Sequence, residues 1–211
     1  MYKRKIPFVR LVKNIPLCSG LGGGSSDAAC FLYTVLHDIW NINIDEIIDI
    51  AKDSHVLGMD VPVFMHRLIH GGNLLFLDGI GKFEEIQQLE GDLKENLEIG
   101  KDIFMLVVNN GKTKLHTKTV FSKWRGNYVP RQSASYLLNN IQHCQNSLLE
   151  TAVAMKPGIQ KILDDIDLSG AVFSRMSGSG SSCFGLYNNL ESLEIAKCIL
   201  KRKYRIVVGN Y

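Results

Sequence analysis

Apolar and polar positions in the run 7–14, PFVRLVKN, alternate well enough to predict a strand. The glycine-rich stretch SGLGGGSS follows at 19–26, and a helical pattern begins at once. Ala29, Leu32, Tyr33, Leu36 and Trp40 recur at helical spacing. Ser25 or Ser26 would cap this helix, and Asp27 suits the positive end of its dipole. A second helix is predicted over 44–54, with Ile44, Ile47, Ile48 and Ala51 on one face. Gly58 and Pro62 interrupt both periodicities, so 58–62 is predicted as a loop. The run 72–77, GNLLFL, reads as a strand closed by a turn at Asp78-Gly79.

A polar stretch, 87–101, marks a domain junction. Beyond it, 103–108 reads as a buried strand, and helical patterns cover 132–143, 146–155 and 157–164. Strands at 171–174 and 183–187 flank a second glycine-serine loop, Ser177-Gly178-Ser179-Gly180. A helix over 190–202 and a strand over 205–208 close the chain, with Asn188 and Glu191 placed to form a capping box. No repeat of fixed period is visible. Helices and strands without strict alternation predict a two-layer α+β protein, with one domain over 1–90 and a second over 101–211.

Composition narrows the function classes. The net charge of +3 comes from 24 basic and 21 acidic residues, too small and scattered an excess for a nucleic-acid binder. Lys3-Arg4-Lys5 and Lys201-Arg202-Lys203 read as solvated clusters. Five cysteines form an odd set with no C-x-x-C pair, which argues against a disulfide framework or zinc site and for a reducing cytoplasm. Six histidines show no metal-ligand pattern. The apolar runs are too short for a membrane span, and no apolar stretch of a secretory signal follows residues 1–6. The expectation is a soluble cytoplasmic protein with no nucleic-acid or membrane partner.

The first glycine loop carries candidate chemistry. Consecutive glycines let a backbone approach an anion closely, and the following helix offers unpaired N–H donors. The two serines add hydroxyls for a phosphate oxygen or a Mg²⁺ ion. A strand, this loop and a capped helix together suit a nucleotide triphosphate better than a flexible linker. The loop is no Walker A motif, because no Gly-Lys-Ser/Thr follows, and no acidic residue closes a second strand about twenty positions on, as a dinucleotide fingerprint requires. Asp60, in G-M-D-V-P, is either a loop residue bonded to nearby amides or a catalytic carboxylate.

Lys13-Asn14-Ile15-Pro16 followed by GLGGGSSDAA at 20–29 resembles the ATP loop of the GHMP kinases, in the spelling typical of the diphosphocytidyl-methylerythritol kinases. GMDVPVF at 58–64 resembles the family's G-A-D-V-P-F-F, and RMSGSGS at 175–181 with Cys183-Phe184-Gly185 resembles its C-terminal motif. Weaker echoes are Gly79-Ile80-Gly81 and Asn146 with Leu148 and Glu150. The resemblance implies a two-domain GHMP kinase fold, ATP and Mg²⁺ as cofactors, and a small-molecule substrate, cytidine diphosphate-linked methylerythritol. It also implies that Pro16, Leu17, Cys18, Ser19, Gly20, Leu21, Gly22, Gly23, Gly24, Ser25 and Ser26 wrap the triphosphate. One of the two serines would lie near Mg²⁺. Asp60 would be the catalytic base, and Ser177, Gly178, Ser179 and Gly180 would brace the loop and close the site.

The pattern departs from the family in two places. The family begins with an A-K-x-N-L strand and a G-Y-H stretch, whose Lys assists the Asp and whose aromatic and His hold the cytosine; neither is present here. The resemblance therefore implies an incomplete N-terminal domain and a chain that is a poor catalyst, or an inactive one, as it stands. Asn109-Asn110-Gly111 also replaces a Pro-containing turn, although Thr117 matches the family's Thr.

Overall fold

A computed structural model of the chain describes residues 7–71, 75–77, 82–88, 104–109, 111, 114–126, 133, 136–137 and 140–210. The chain divides into two compact units: Met1–Lys13 with Gly22–Glu90, and Asn14–Leu21 with Gly91–Tyr211. The predicted junction lies outside the described residues except for 87–88, as do 72–74 and the turn at Asp78-Gly79.

In the first unit, helix α1 (Gly23–Tyr33) runs directly into π-helical turns over Thr34–Ile39. Helices α2 (Ile44–Lys52) and α3 (Val61–His70) follow, then a short antiparallel pair, β1 (Leu75–Leu77) and β2 (Ile86–Gln88). Buried Ala29, Leu36, Ile47, Ala51, Val61, Met65, Phe83 and Ile86 make one core. The Asn43 Oδ1 accepts the Glu46 N–H at 2.9 Å and so fixes the start of α2. That helix stops at Lys52, two residues before the predicted end, because Ser54 opens a 3₁₀ turn and donates to the Ala51 carbonyl at 2.6 Å.

Three sequence expectations change here. Residues 7–14 form no strand: the alternation supplies an apolar face, but no described strand offers them a ladder, and Phe8, Val9, Leu11 and Val12 are exposed. Helix α1 starts at Gly23, so Ser25 and Ser26 sit inside its first turn instead of capping it. Gly22 is the N-cap residue, in the left-handed region at φ 62°, where glycine costs nothing. The predicted loop at 58–62 is shorter, because Asp60 is the N-cap of α3 and Pro62 lies in its first turn, where the missing N–H has no intrahelical acceptor to lose.

The second unit is a four-stranded antiparallel sheet in the order β4–β5–β3–β6 with helices packed on one face. Its strands are β3 (Phe104–Asn109), β4 (Phe173–Met176), β5 (Cys183–Tyr187) and β6 (Arg205–Asn210). Its helices among the described residues include α4 (Thr117–Lys123), α5 (Leu149–Met155), α6 (Gly158–Leu168) and α7 (Leu190–Leu200). Ile159, Ile162, Leu163 and Ile166 recur at helical spacing on α6 and are buried with Leu193, Ala196 and Leu200 of α7. They cover Leu106, Val108, Cys183 and Tyr187 of the sheet, each large aliphatic side chain contributing about 1.5–3 kcal/mol by burial.

Gly185, opposite Leu106 in the register, lets α6 approach closely. A Cβ there would lie 2.6 Å from Ile166 Cγ2 and 3.2 Å from Ala171 Cβ. The cap of α7 falls one residue later than predicted: Asn189, not Asn188, accepts the Ser192 N–H at 2.7 Å, and Glu191 lies in the first turn. Of the helix predicted over 132–143, the described residues include a 3₁₀ turn at Ile141–His143, and most of the remainder falls outside them.

Candidate functional site

In the second unit, the chain between β4 and β5 turns through Ser177, Gly178, Ser179 and Gly180, with Gly178 and Gly180 at φ 53° and 83°. The Ser177 N–H donates to the Ser182 carbonyl and the Gly180 N–H to the Ser177 carbonyl, both at 2.9 Å, which closes the loop on itself. The segment Asn14–Leu21 lies along it. The Ser182 N–H donates to the Ser19 carbonyl at 2.9 Å, and the Ser177 hydroxyl donates to the Gly20 carbonyl at 2.8 Å. The approach is backbone on backbone: a Cβ on Gly20, whose φ is 76°, would sit 2.3 Å from the Ser177 oxygen.

Side chains from elsewhere in the unit hold this arrangement. Asn146 donates to the carbonyls of Met176 at 2.9 Å and Gly178 at 2.7 Å, while its own oxygen accepts the Leu148 N–H at 2.9 Å. Buried Asn109 donates to the Ser182 hydroxyl at 2.9 Å and accepts the Gly111 N–H at 2.7 Å. Thr117 and Ser179 share a hydroxyl–hydroxyl bond of 2.9 Å. Asn109 was not singled out as a site residue by its sequence, and its only signal was the departure from the family's turn.

In the first unit, α1 begins at Gly22 with no side-chain cap, and the Ser26 N–H closes the first turn on the Gly22 carbonyl at 2.9 Å. The amides of Gly23, Gly24 and Ser25 thus belong to a helix start that no side chain covers, the arrangement that attracts anions. A Cβ on Gly24 would meet nothing within 4 Å. Asp27, one turn in, is paired with Lys13.

The start of α3 adjoins that of α1. A Cβ on Gly22 would lie 3.8 Å from Asp60 Oδ2 and 3.1 Å from the Phe64 ring, and one on Gly58 would lie 3.4 Å from the Ser25 hydroxyl. Asp60 is exposed and does not cap its own helix. No hydrogen bond or ion pair engages its carboxylate among the described residues. The amide-bonded loop role that G-x-D-x-P would suit is thus absent.

The predicted site residues fall into two groups. Pro16, Leu17, Cys18, Ser19, Gly20 and Leu21 share a unit with Ser177, Gly178, Ser179 and Gly180, whereas Gly22, Gly23, Gly24, Ser25 and Ser26 share a unit with Asp60. Leu17 and Cys18 are exposed and Ser19 is buried. Among the described residues no three of His, Cys, Asp or Glu gather as a metal-ligating group, and no helix is long and apolar enough to cross a membrane.

Residues 2–67 match the GHMP kinases N terminal domain and residues 131–206 the GHMP kinases C terminal domain. The chain belongs to the GHMP kinase family. It is 35% identical over 202 residues to the 4-diphosphocytidyl-2-C-methyl-D-erythritol kinase of Bartonella tribocorum, a match covering 92% of this chain and 63% of that protein. Its fold is similar to a solved 4-(cytidine 5'-diphospho)-2C-methyl-D-erythritol kinase, with a TM-score of 0.69 and 25% identity over 94% of this chain and 68% of that one. The fold alone is shared with the homoserine kinase of Cytophaga hutchinsonii, at a TM-score of 0.66 and 15% identity over 94% of this chain and 68% of that one. The chain spans less than two thirds of the length of the curated relatives it matches.

Proposed function

We propose that this protein is a cytoplasmic small-molecule kinase that transfers a phosphoryl group from ATP to the 2-hydroxyl of 4-diphosphocytidyl-2-C-methyl-D-erythritol, a step of isoprenoid synthesis. One observation carries the reading: the unengaged, exposed carboxylate of Asp60 beside Gly22 at the uncapped start of α1. The reading takes that carboxylate as the proton acceptor and the helix start as the phosphate cradle. The names of the relatives supply the acceptor class.

Phosphoryl transfer asks for positioning and charge stabilisation more than covalent help. The amides of Gly23, Gly24 and Ser25 would donate to phosphate oxygens, and the open space at Gly24 leaves room for them. Asp60 would orient the acceptor hydroxyl and take its proton at a carboxylate oxygen. In the second unit, Ser177 and Ser182 hold the backbone of 19–20 in shape. Bound Mg²⁺ would neutralise phosphate charge; it needs few protein ligands, and the hydroxyl of Ser25 or Ser26 is the fitting one.

The test offers ATP with the cytidine diphosphate-linked acceptor, homoserine or mevalonate, and follows product by mass spectrometry alongside a calorimetric ATP titration. Phosphorylation of the first acceptor alone is expected. Transfer to homoserine or mevalonate would move the protein to another branch of the family. Binding of ATP without transfer to any acceptor would make it a non-catalytic nucleotide-binding protein.

A further inference from the structure

We propose that Cys18 and His116 form a thiol-exchange site at which a low-molecular-weight disulfide regulates the glycine-rich loop. The chemistry stands on the pair itself; its regulatory consequence rests on the nucleotide-binding role given to the loop above.

The Cys18 Sγ lies 3.7 Å from the His116 Nδ1, across 98 positions of sequence and within one unit. Both residues are exposed, so a disulfide in solution can reach the sulfur. Each is held by its neighbour to the same glycine-serine loop. Ser19, next to Cys18, accepts the Ser182 N–H at 2.9 Å, and Thr117, next to His116, bonds Ser179 at 2.9 Å. Leu115, on the other side of His116, is buried in the core. The backbone of Cys18 is left-handed, at φ 55°, a conformation that few side chains adopt. Nucleophile and base therefore meet on a fixed frame.

The other four thiols lack this arrangement. Cys183 is buried, and burial pushes its thiol up to about 12. Cys144 is half-buried and donates to the carbonyls of Asn140 at 3.5 Å and Leu137 at 3.8 Å. Cys30 on α1 and Cys198 on α7 are exposed, and neither has an imidazole partner among the described residues.

In the exchange, His116 in its Nε2-protonated tautomer accepts the thiol proton at Nδ1, and the Cys18 sulfur attacks one sulfur of the disulfide R–S–S–R. A Cys18–S–S–R bond forms, the original S–S bond breaks, and the departing R–S⁻ takes the proton to leave as R–SH. Cys18 is oxidised, one sulfur of the reagent is reduced, and excess thiol reverses the step. A group the size of a peptide on Cys18 would stand next to Ser19, at the beginning of the glycine-rich stretch 19–26.

The full chain, reduced and then exposed to oxidised glutathione, is followed by peptide-mapping mass spectrometry at each cysteine. Cys18 is expected to react about tenfold or more faster than Cys30 and Cys198 near neutral pH, as thiolate supply sets the rate. His116→Gln should bring Cys18 down to their rate and leave theirs unchanged. Equal rates at the three thiols in the unaltered chain, or no effect of His116→Gln, would overturn the site. ATP is then titrated into treated and untreated protein. Treated protein should lose about tenfold or more of its affinity, recoverable with dithiothreitol, whereas His116→Gln treated for the same short time should keep its own. Unchanged affinity in the modified protein would overturn the regulation. An untreated chain that binds no ATP would remove both the nucleotide reading and the regulation built on it, while the exchange rates would still decide the thiol site.

Discussion

The hydroxyl of Ser177 donates to the carbonyl oxygen of Gly20 at 2.8 Å, joining two glycine-serine segments 157 positions apart. Backbone meets backbone there, and a glycine is required. Gly20→Ala would set a Cβ 2.3 Å from the Ser177 oxygen and 2.8 Å from the Gly180 oxygen at a φ of 76°. The left-handed strain and the overlap together should cost about 2–4 kcal/mol, read as a lower urea midpoint. A midpoint within error of the parent would mean that the two segments do not pack this way.

Gly24 gives the opposite test. A Cβ there meets nothing within 4 Å, so Gly24→Val should leave stability within about 0.5 kcal/mol of the parent. If the start of α1 cradles phosphates, the same side chain stands where they bind, and ATP affinity should fall about tenfold or more, which is about 1.4 kcal/mol. Calorimetric titration of the folded variant checks both halves. Equal affinity would take the loop out of the site.

Asp60→Asn should reduce the transfer rate by about 10²–10⁴ while leaving ATP affinity nearly intact. Asn keeps the size of the side chain and can hydrogen-bond, but it cannot take the acceptor's proton. Single-turnover transfer and a separate ATP titration, run once circular dichroism shows a folded chain, separate the effects. A loss below about fivefold would demote Asp60 from general base. Collapse of ATP affinity along with the rate would give it a structural or metal-binding role.

Acid should weaken the fold through His66. Its ring packs on His70 and Phe83, with centroids 4.6 and 5.3 Å away, and its Nδ1 is buried without a hydrogen-bond partner among the described residues. Burial first, and the neighbouring His70 second, hold its pKa below the ordinary 6.5. Below 6.5 the unfolded chain therefore takes up this proton while the folded one does not, so stability is full above that pH and falls as pH drops toward the lowered folded value. His66→Leu should keep its stability at pH about 7.5 and flatten the decline below about pH 6.5. Parallel urea-midpoint profiles for the two proteins would exclude His66 as the source.

Local periodicity made much of the fold legible. The strand at 183–187 was readable to the residue, and the helices ending at Met155 and Leu200 to within three, because the alternation and helical spacing of buried residues are properties of neighbouring positions. Where glycine takes the place of a capping side chain, that signal fails: the start of α1 depends on the left-handed Gly22, and serines inside the first turn look like caps in the sequence alone. Residues 7–14 failed for another reason, since alternation cannot supply a partner strand.

At the candidate site, the glycine loops were visible as letters, but what their supports hold was not. Asn109 reaches Ser182 across 73 positions and Asn146 reaches Gly178 across 32, distances over which no pattern of spacing operates. The Asp60 letters fit a loop residue bonded to nearby amides as readily as a catalytic carboxylate. In the fold its side chain makes no capping hydrogen bond to α3.

The glycine at 185 also sets a direction for mutational change. Every other amino acid adds atoms to a place where even a methyl group meets Ile166 at 2.6 Å, so any missense change at that codon moves the same way, toward crowding. Relief has to come from a second position. A change that removes the Cγ2 atom of Ile166, as Ile166→Ala does, is the kind of suppressor a genetic screen starting from Gly185→Ala should return.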